Sequence, residues 1–372
     1  MRRHPFIAAV ILLLCGSGLV AQEKPKRITG DVVPGAEWEQ VRPESVGYSS
    51  NKLEVLRAWV KTEDTASMLV VVQGRIIFSY GDVSHTSKIA SARKSVLSML
   101  YGNYVMNGTI DLDKTVKQIG LQDKQPFLPV EETATLRQLL AARSGIYLPT
   151  SSFGQKGYLP PRGSEEPGAH YLYSNWDFNA AGAAFEKLTG KNIYDALQTD
   201  MAVPLGMQDY VRAKQVKEAD PLTNFDEYVM RLSARDMARL GLLMLDKGKW
   251  NGKQIIPEDW VNYSTSLATP FRDLNPSFLR NYASPERWGY SAALWWVWDA
   301  PDTLGGSYLG PWQGAYSAMG AGGTYITVFP GWDTVIVHQV DIDKNPKASV
   351  FPSSYTAMLG MIANSYCGHS CE

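Results

Sequence analysis

Residues 91–106 read Ser91-Ala92-Arg93-Lys94-Ser95-Val96-Leu97-Ser98-Met99-Leu100-Tyr101-Gly102-Asn103-Tyr104-Val105-Met106, and Asn107-Gly108 follows. Apolar side chains at 96, 97, 100, 101, 104 and 105 recur at helical spacing, and an Asn-Gly pair ends helices. The stretch predicts a helix from about Ser91 to Met106, with a serine at its start and a lysine three residues on. Residues three apart share one helix face, which brings the ammonium within reach of the hydroxyl. A lysine held among apolar groups loses its proton more readily and serves as a general base. The first N–H groups of a helix lack intrahelical partners and suit a developing oxyanion. The plainer reading is a cap followed by a snorkelling lysine. That reading is preferred at the second match, Ser49-Ser50-Asn51-Lys52, where the serines stand ahead of Leu53, Leu56 and Val60 as a helix cap would.

Outward from this helix the chain changes character twice. Ser67 to Val72 and Arg75 to Tyr80 are short apolar runs joined by Gln73-Gly74, which reads as a β-hairpin. From about 110 to 275 the pattern is helical and punctuated. Its periodic segments are Leu136 to Arg143, Asp177 to Leu188, Ile193 to Gln198, Ser233 to Leu245 and Pro257 to Leu267. After about 285 strands return at Tyr290 to Trp298, Gly323 to Phe329 and Thr334 to Val340, rich in β-branched and aromatic residues. Tyr355 to Tyr366 closes as a helix. Strands at both ends with helices between them predict an α/β domain built from residues 22–95 together with 276–372. Residues 96–275 then form a helical insertion domain, with a ligand cleft between the two.

The chain has 372 residues, 45% of them hydrophobic and 20% charged, which is globular composition and excludes a disordered chain. Its formal net charge of −1 gives no support to a nucleic-acid partner. Arg2 and Arg3 precede an apolar run from Phe6 to Leu14, too short to span a bilayer. Residues 1–21 therefore read as a signal peptide cut after Ala21, giving a periplasmic or secreted protein. A lipid-modified Cys15 and a short membrane anchor are the alternatives. Cys367 and Cys371, four apart at the end of the chain, suit a small terminal disulfide, or a weak metal site with His369.

Several catalytic systems are missing. There is no Gly-x-Ser-x-Gly elbow, no His-Glu-x-x-His, and no glycine-rich nucleotide loop. Two further elements join Ser91 and Lys94. Tyr173-Ser174-Asn175 follows Glu166-Pro167-Gly168; a phenol beside Lys94 would shuttle a proton, and Asn175 would hold a substrate amide and the lysine. Met319-Gly320-Ala321-Gly322-Gly323-Thr324 reads as the opening of the strand Tyr325 to Phe329, where glycines admit a ligand close to the backbone. A bulge or turn is the plainer reading of that run. Trp288, Trp295, Trp296, Trp298 and Trp312 read as core first and as a substrate wall second. Arg93 reads as a solvated or structural side chain before a substrate contact. His170 reads as a loop residue, and Arg235 with Asp236 as an internal ion pair or cap.

The order of Ser-x-x-Lys, Tyr-x-Asn and a late glycine-rich strand resembles the serine β-lactamase and penicillin-binding-protein superfamily. It is most similar to the branch of class C β-lactamases, esterases and 6-aminohexanoate-dimer hydrolases. Leu136 to Gly145, Pro204-Leu205-Gly206-Met207, Leu232 to Gly241 and Trp250 to Pro257 extend the likeness over about residues 45–365. The resemblance implies an α/β (α+β) fold in which helices flank an antiparallel sheet and an all-helical domain is inserted. It also implies an acyl-enzyme mechanism without cofactor or metal. Carried over by position, Ser91 is the nucleophile, Lys94 its base, Tyr173 the second acid/base, and Asn175 orients substrate. The N–H groups of Ser91 and Ala321 form the oxyanion hole, and Gly320, Ala321 and Gly322 line the substrate. The chain departs from many relatives where a Lys-Thr-Gly triplet is usual. Met319-Gly320-Ala321 brings no cation, which removes about 1.5–3 kcal/mol of carboxylate recognition. The expected function is an exported serine hydrolase acting on a small-molecule ester, amide or peptide-like substrate, with no obligate protein partner evident. A β-lactamase or D-Ala-D-Ala carboxypeptidase, and a non-catalytic ligand-binding or sensor module on the same fold, are the alternatives.

Overall fold

The computed structural model describes residues 32–151, 158–276, 288–299 and 311–368. The expected signal segment 1–21, His369 and Cys371 lie outside them. Cys367 is disulfide-bonded.

Eight described strands form one antiparallel sheet: β1 Ser67–Val72, β2 Arg75–Gly81, β3 Leu267–Thr269, β4 Trp288–Ser291, β5 Trp296–Trp298, β6 Tyr316–Gly320, β7 Thr324–Phe329 and β8 Thr334–Gln339. Their order across the sheet is β2-β1-β8-β7-β6-β5-β4-β3. The β1–β2 turn takes positive φ at both Gln73 (51°) and Gly74 (77°), the twist that a two-residue hairpin needs. Gly74 is also required sterically, since a Cβ there would lie 1.8 Å from the Val32 carbonyl oxygen.

Every residue of β1, β7 and β8 is buried, so both sheet faces are covered. Helices α1 Ser50–Val60 and α5 Pro352–Ser365 pack together. Tyr355 of α5 stacks on Tyr325 of β7 at 4.0 Å and shares a 2.7 Å hydrogen bond with Thr327. Ile326 and Val335 point the other way, where α4 Ala234–Leu245 packs, and a Cβ on Gly241 would meet Val335 at 2.5 Å. Helix α2 Ala92–Met106 is buried all round from Ala92 to Gly102, lying between β6 and α3 Asn175–Thr189. That position accounts for its near-continuous apolar sequence.

Three sequence expectations change. The run Tyr290 to Trp298 is two strands, because the Ser291 hydroxyl accepts from the N–H groups of Ala293 and Trp295 and turns the chain back. The glycine run does not open a strand. Met319 and Gly320 end β6, which the sequence reading missed, and residues 321–323 turn into β7 with Gly322 and Gly323 at φ 86° and 111°. Finally, residues 96–275 are not all helical insertion. Helix α4 lies on β1, β7 and β8, and β3 is an edge strand of the sheet.

Candidate active site

Ser91 is the N-cap of α2, and Ala90 before it takes φ 46°, an unfavourable conformation for a residue with a Cβ. Two hydrogen bonds hold this corner: Ile89 N–H to the Met230 carbonyl (3.0 Å) and Ala92 N–H to the Ile89 carbonyl (3.1 Å). The side chain of Lys94 folds back under Ser91 and is 2% exposed. Its Nζ lies 2.9 Å from Ser91 Oγ, 2.6 Å from Tyr173 Oη and 2.7 Å from Asn175 Oδ1. The rings of Tyr173 and Phe178 flank the same nitrogen at 4.4 and 4.5 Å. Ser91 and Tyr173 are partly open to solvent, whereas Lys94 and Asn175 are buried.

The helices explain the convergence. Asn175 opens α3 and Ser91 opens α2, so both helix starts meet at one end of the buried α2–α3 contact. The Tyr173 ring stacks on Trp296 at 5.9 Å and meets Phe178 edge-on at 4.9 Å, while its N–H donates to the Asn275 carbonyl at 3.0 Å. The phenol is therefore fixed by packing as well as by Lys94.

Burial pushes the Lys94 amine well below the ordinary lysine range, and the nearby Arg93 charge pushes in the same direction. The three partners suit either protonation state. An ammonium would donate to all three oxygens. A neutral amine would donate to Tyr173 Oη and Asn175 Oδ1 and take the Ser91 O–H on its lone pair. In the second state the serine proton already points at its acceptor.

Gly320 is where β6 reaches the start of α2. A Cβ at this residue would lie 2.3 Å from Ile89 O and 3.3 Å from Ala92 N. Ala321 follows at the exposed turn. Gly322 faces elsewhere, against Ile342 and Ala348. The structure thus brings Ser91, Lys94, Tyr173 and Asn175 together, sets Gly320 at the helix start, and puts Gly322 on the far side of the turn. His338 supports that turn, with Nδ1–H donating to Gly323 O at 2.6 Å and Thr65 Oγ1–H donating to Nε2 at 2.9 Å.

Other candidates resolve simply. Ser49 caps α1 by accepting from Lys52 N–H. His170 pairs with Glu165 at 3.1 Å. Arg235 pairs with Asp209, while Asp236 accepts from the N–H groups of Gln208 and Asp209. Trp288 and Trp295 are core, and Trp296 joins the wall around Tyr173. Arg93 is structural rather than solvated: it is buried against Asn179, Glu227 and Tyr228. Asn179 was legible as the residue four beyond Asn175 on one helix face. Among the described residues, no group of three or more His, Cys, Asp or Glu is placed to hold a metal ion.

Known proteins share this fold. An uncharacterised protein of Alkalihalophilus pseudofirmus is 23% identical over 276 residues, covering 70% of this chain and 74% of that one. A candidate β-lactamase from Bacteroides dorei superposes with a TM-score of 0.62 at 18% identity, over 85% of this chain and 99% of the other. A candidate 6-aminohexanoate-dimer hydrolase from Bacillus anthracis gives 0.60 at 19% identity, over 92% and 89%. These structural likenesses establish a common fold. The profile of the Beta-lactamase family matches residues 57–350, a span that begins ahead of β1 and ends beyond β8, and the chain belongs to that family.

Proposed function

We propose that this protein is an exported serine hydrolase that cleaves an ester or amide bond of a small or peptide-like molecule through an acyl-enzyme on Ser91. One observation carries the reading: a single buried lysine nitrogen lies within hydrogen-bond distance of a serine hydroxyl, a tyrosine hydroxyl and an asparagine oxygen. Ser91 Oγ attacks the carbonyl carbon while its proton passes to the neutral Lys94 amine. Tyr173 Oη relays that proton to the leaving oxygen or nitrogen, so the departing group leaves neutral. The N–H of Ser91, with one from the β6 end near Gly320 and Ala321, stabilises the oxyanion. Water then attacks the acyl carbon, gives its proton to the Lys94–Tyr173 pair, and releases the acid as Ser91 regains its hydrogen. Asn175 holds the lysine and contacts the substrate amide.

What lies on β6 supports this substrate class. Its residues Tyr316-Ser317-Ala318-Met319-Gly320 carry no cation to meet a substrate carboxylate. The partly open ring of Tyr173, stacked on Trp296, suits an uncharged acyl or leaving group. An amide-cleaving assignment among the structural neighbours supports the amide half of the reading. The Arg2-Arg3 start and apolar run to Leu14 support export.

A fluorophosphonate probe tests the core of the proposal. The purified protein labels at Ser91, and Ser91→Ala abolishes labelling. Equal labelling of the variant removes Ser91 from the mechanism. A panel of esters, amides and nitrocefin then ranks substrates, and efficient nitrocefin hydrolysis would favour a β-lactamase over the uncharged-substrate reading.

A further inference from the structure

Helices α2 and α3 present two matched contacts one helical turn apart. Lys94 meets Asn175, and Arg93 meets Asn179 four residues further along α3. The Arg93 guanidinium is 2% exposed. Its Nη2 donates to Asn179 Oδ1 at 2.9 Å and its Nε to Glu227 Oε1 at 3.3 Å, with Cζ 4.1 Å above the Tyr228 ring. Glu227, on the strand Glu227–Val229, is 23% exposed at its side chain. An ion pair so enclosed lies next in the chain to the lysine whose protonation the proposed chemistry turns on.

A partly buried carboxylate favours a counter-ion, and the buried cations Arg93 and Lys94 stand nearby. A further cation, Lys88, pairs with Glu218, its Nζ 3.0 and 3.1 Å from that carboxylate, and adds to the positive charge felt by Glu227. Facing Lys94 itself are Ser91 on its own helix, Phe178 and Asn175 of α3, Tyr173 just before α3, and the charges of Arg93 and Glu227. Tyr228 faces the guanidinium rather than the amine. The balance at Lys94 is thus between one fixed positive and one negative charge.

We propose that Arg93 serves as the counter-ion of Glu227 so that Lys94 does not have to, and that the Arg93–Glu227 pair tunes where Lys94 gains its proton. The inference rests on the reading of Lys94 as the base for Ser91. Neither residue touches a reacting atom; both are positioning residues that act through the Lys94 charge. The electrostatics have the required signs. Burial and then Arg93 lower the Lys94 amine, and Glu227 raises it. Burial works to raise the Glu227 carboxyl, and Arg93, Lys88 and Lys94 together hold it below its ordinary value. Removing Arg93 leaves the charge of Glu227 unopposed at Lys94 and favours the ammonium, which cannot accept the serine proton.

The test follows the rate of Ser91 labelling by a fluorophosphonate as a function of pH, with thermal melting as a check on folding and mass spectrometry locating the adduct. Arg93→Gln is expected to move the acid limb of the rate upward by about one pH unit or more, a loss of about tenfold on that limb. Glu227→Gln moves it the other way. The double variant Arg93→Gln/Glu227→Gln, with both charges gone, returns toward the parent and labels faster near neutrality than Arg93→Gln alone. A folded Arg93→Gln with the parent limb overturns the inference, as does a double variant no better than the single. If Arg93→Gln alone does not fold, a Glu227→Gln limb that stays in place or moves upward overturns it. A parent adduct on a residue other than Ser91 overturns the reading of Lys94 as base; unmoved limbs with a Ser91 adduct overturn this inference alone.

Discussion

Replacing Gly320 by alanine adds one methyl group at the contact between the sheet and the proposed nucleophile. The new Cβ would sit 2.3 Å from the Ile89 carbonyl oxygen, with Thr324 O at 3.2 Å and Ala92 N at 3.3 Å. An ordinary contact is about 3.4 Å, so β6 and the start of α2 must separate by roughly 1 Å. The obstructing atoms are backbone, and no rotamer relieves them. Ile89 is pinned in turn by its hydrogen bond to Met230, and Ala90 already takes φ 46°. The relief therefore comes from moving Ser91 relative to the end of β6. Overpacking of this kind costs about 1–3 kcal/mol of stability. A displacement of about 1 Å between reacting groups costs on the order of 10²-fold in rate. Gly320→Ala is expected to unfold at lower urea and to be labelled by a fluorophosphonate about 10²-fold more slowly, while remaining folded. A labelling rate within about threefold of the parent in a measurably destabilised variant would show that Ser91 reactivity is independent of the β6 end. The oxyanion site would then have to be sought elsewhere.

Three further outcomes follow from the same structure. Tyr173→Phe keeps the ring against Trp296 and Phe178 and removes only the hydroxyl 2.6 Å from Lys94; ester turnover should fall about 10²–10⁴-fold with little change in melting temperature, and undiminished turnover would remove Tyr173 from proton transfer. Burial lowers the His338 imidazole from 6.5 to about 4, so the folded chain refuses a proton that the unfolded chain accepts below about pH 6.5. The His338 contribution is complete above that pH and is lost as pH falls toward 4, amounting to about 3 kcal/mol. His338→Gln should flatten the fall in urea-unfolding stability between about pH 6.5 and 4.5, and an unchanged slope would assign the acid sensitivity to other groups. Gly360, inside α5 with open space around a Cβ, should gain about 0.5–1 kcal/mol on replacement by alanine, checked by the same urea titration.

The fold was legible wherever local periodicity and partner agreed. The β1–β2 hairpin and α2 were read nearly to the residue because alternation, a two-residue turn and an apolar 3.6-residue repeat are all local signals. Strand β6 was missed for a physical reason. Its end, Met319-Gly320, belongs to a glycine run, and glycine reads as a turn or strand opening when its neighbour is unknown. The residues that demand glycine at 320 are Ile89 and Ala92, more than two hundred positions away. Strand β3 was hidden similarly, as Leu267 stood at the tail of an expected helix and becomes a strand by pairing with Ser291. Helix α4 was read correctly as a helix but assigned to the insertion, because nothing in its own pattern says which apolar surface it will cover.

At the site, the division falls between what a motif holds and what surrounds it. Ser91 and Lys94 are joined by helical spacing, and Tyr173 and Asn175 by their adjacency, so each pair is legible alone. Their meeting is legible only through the likeness to a family. Arg93 marks the limit. As a sequence position it is a charged residue between two candidate catalytic groups, for which a solvated or structural side chain is the sensible expectation, and the structural half of it holds. Its partner Glu227 lies 134 residues away, with the enclosing Tyr228 next to it in the chain, and Asn179 lies 86 away. Yet the sequence contained a usable constraint. A helix starting at Ser91 that is apolar on its remaining faces has no solvent-facing side for position 93, and a buried arginine requires an acidic partner. The pattern that placed Lys94 underground therefore placed Arg93 there too, and the charge of each had to be read together with the other.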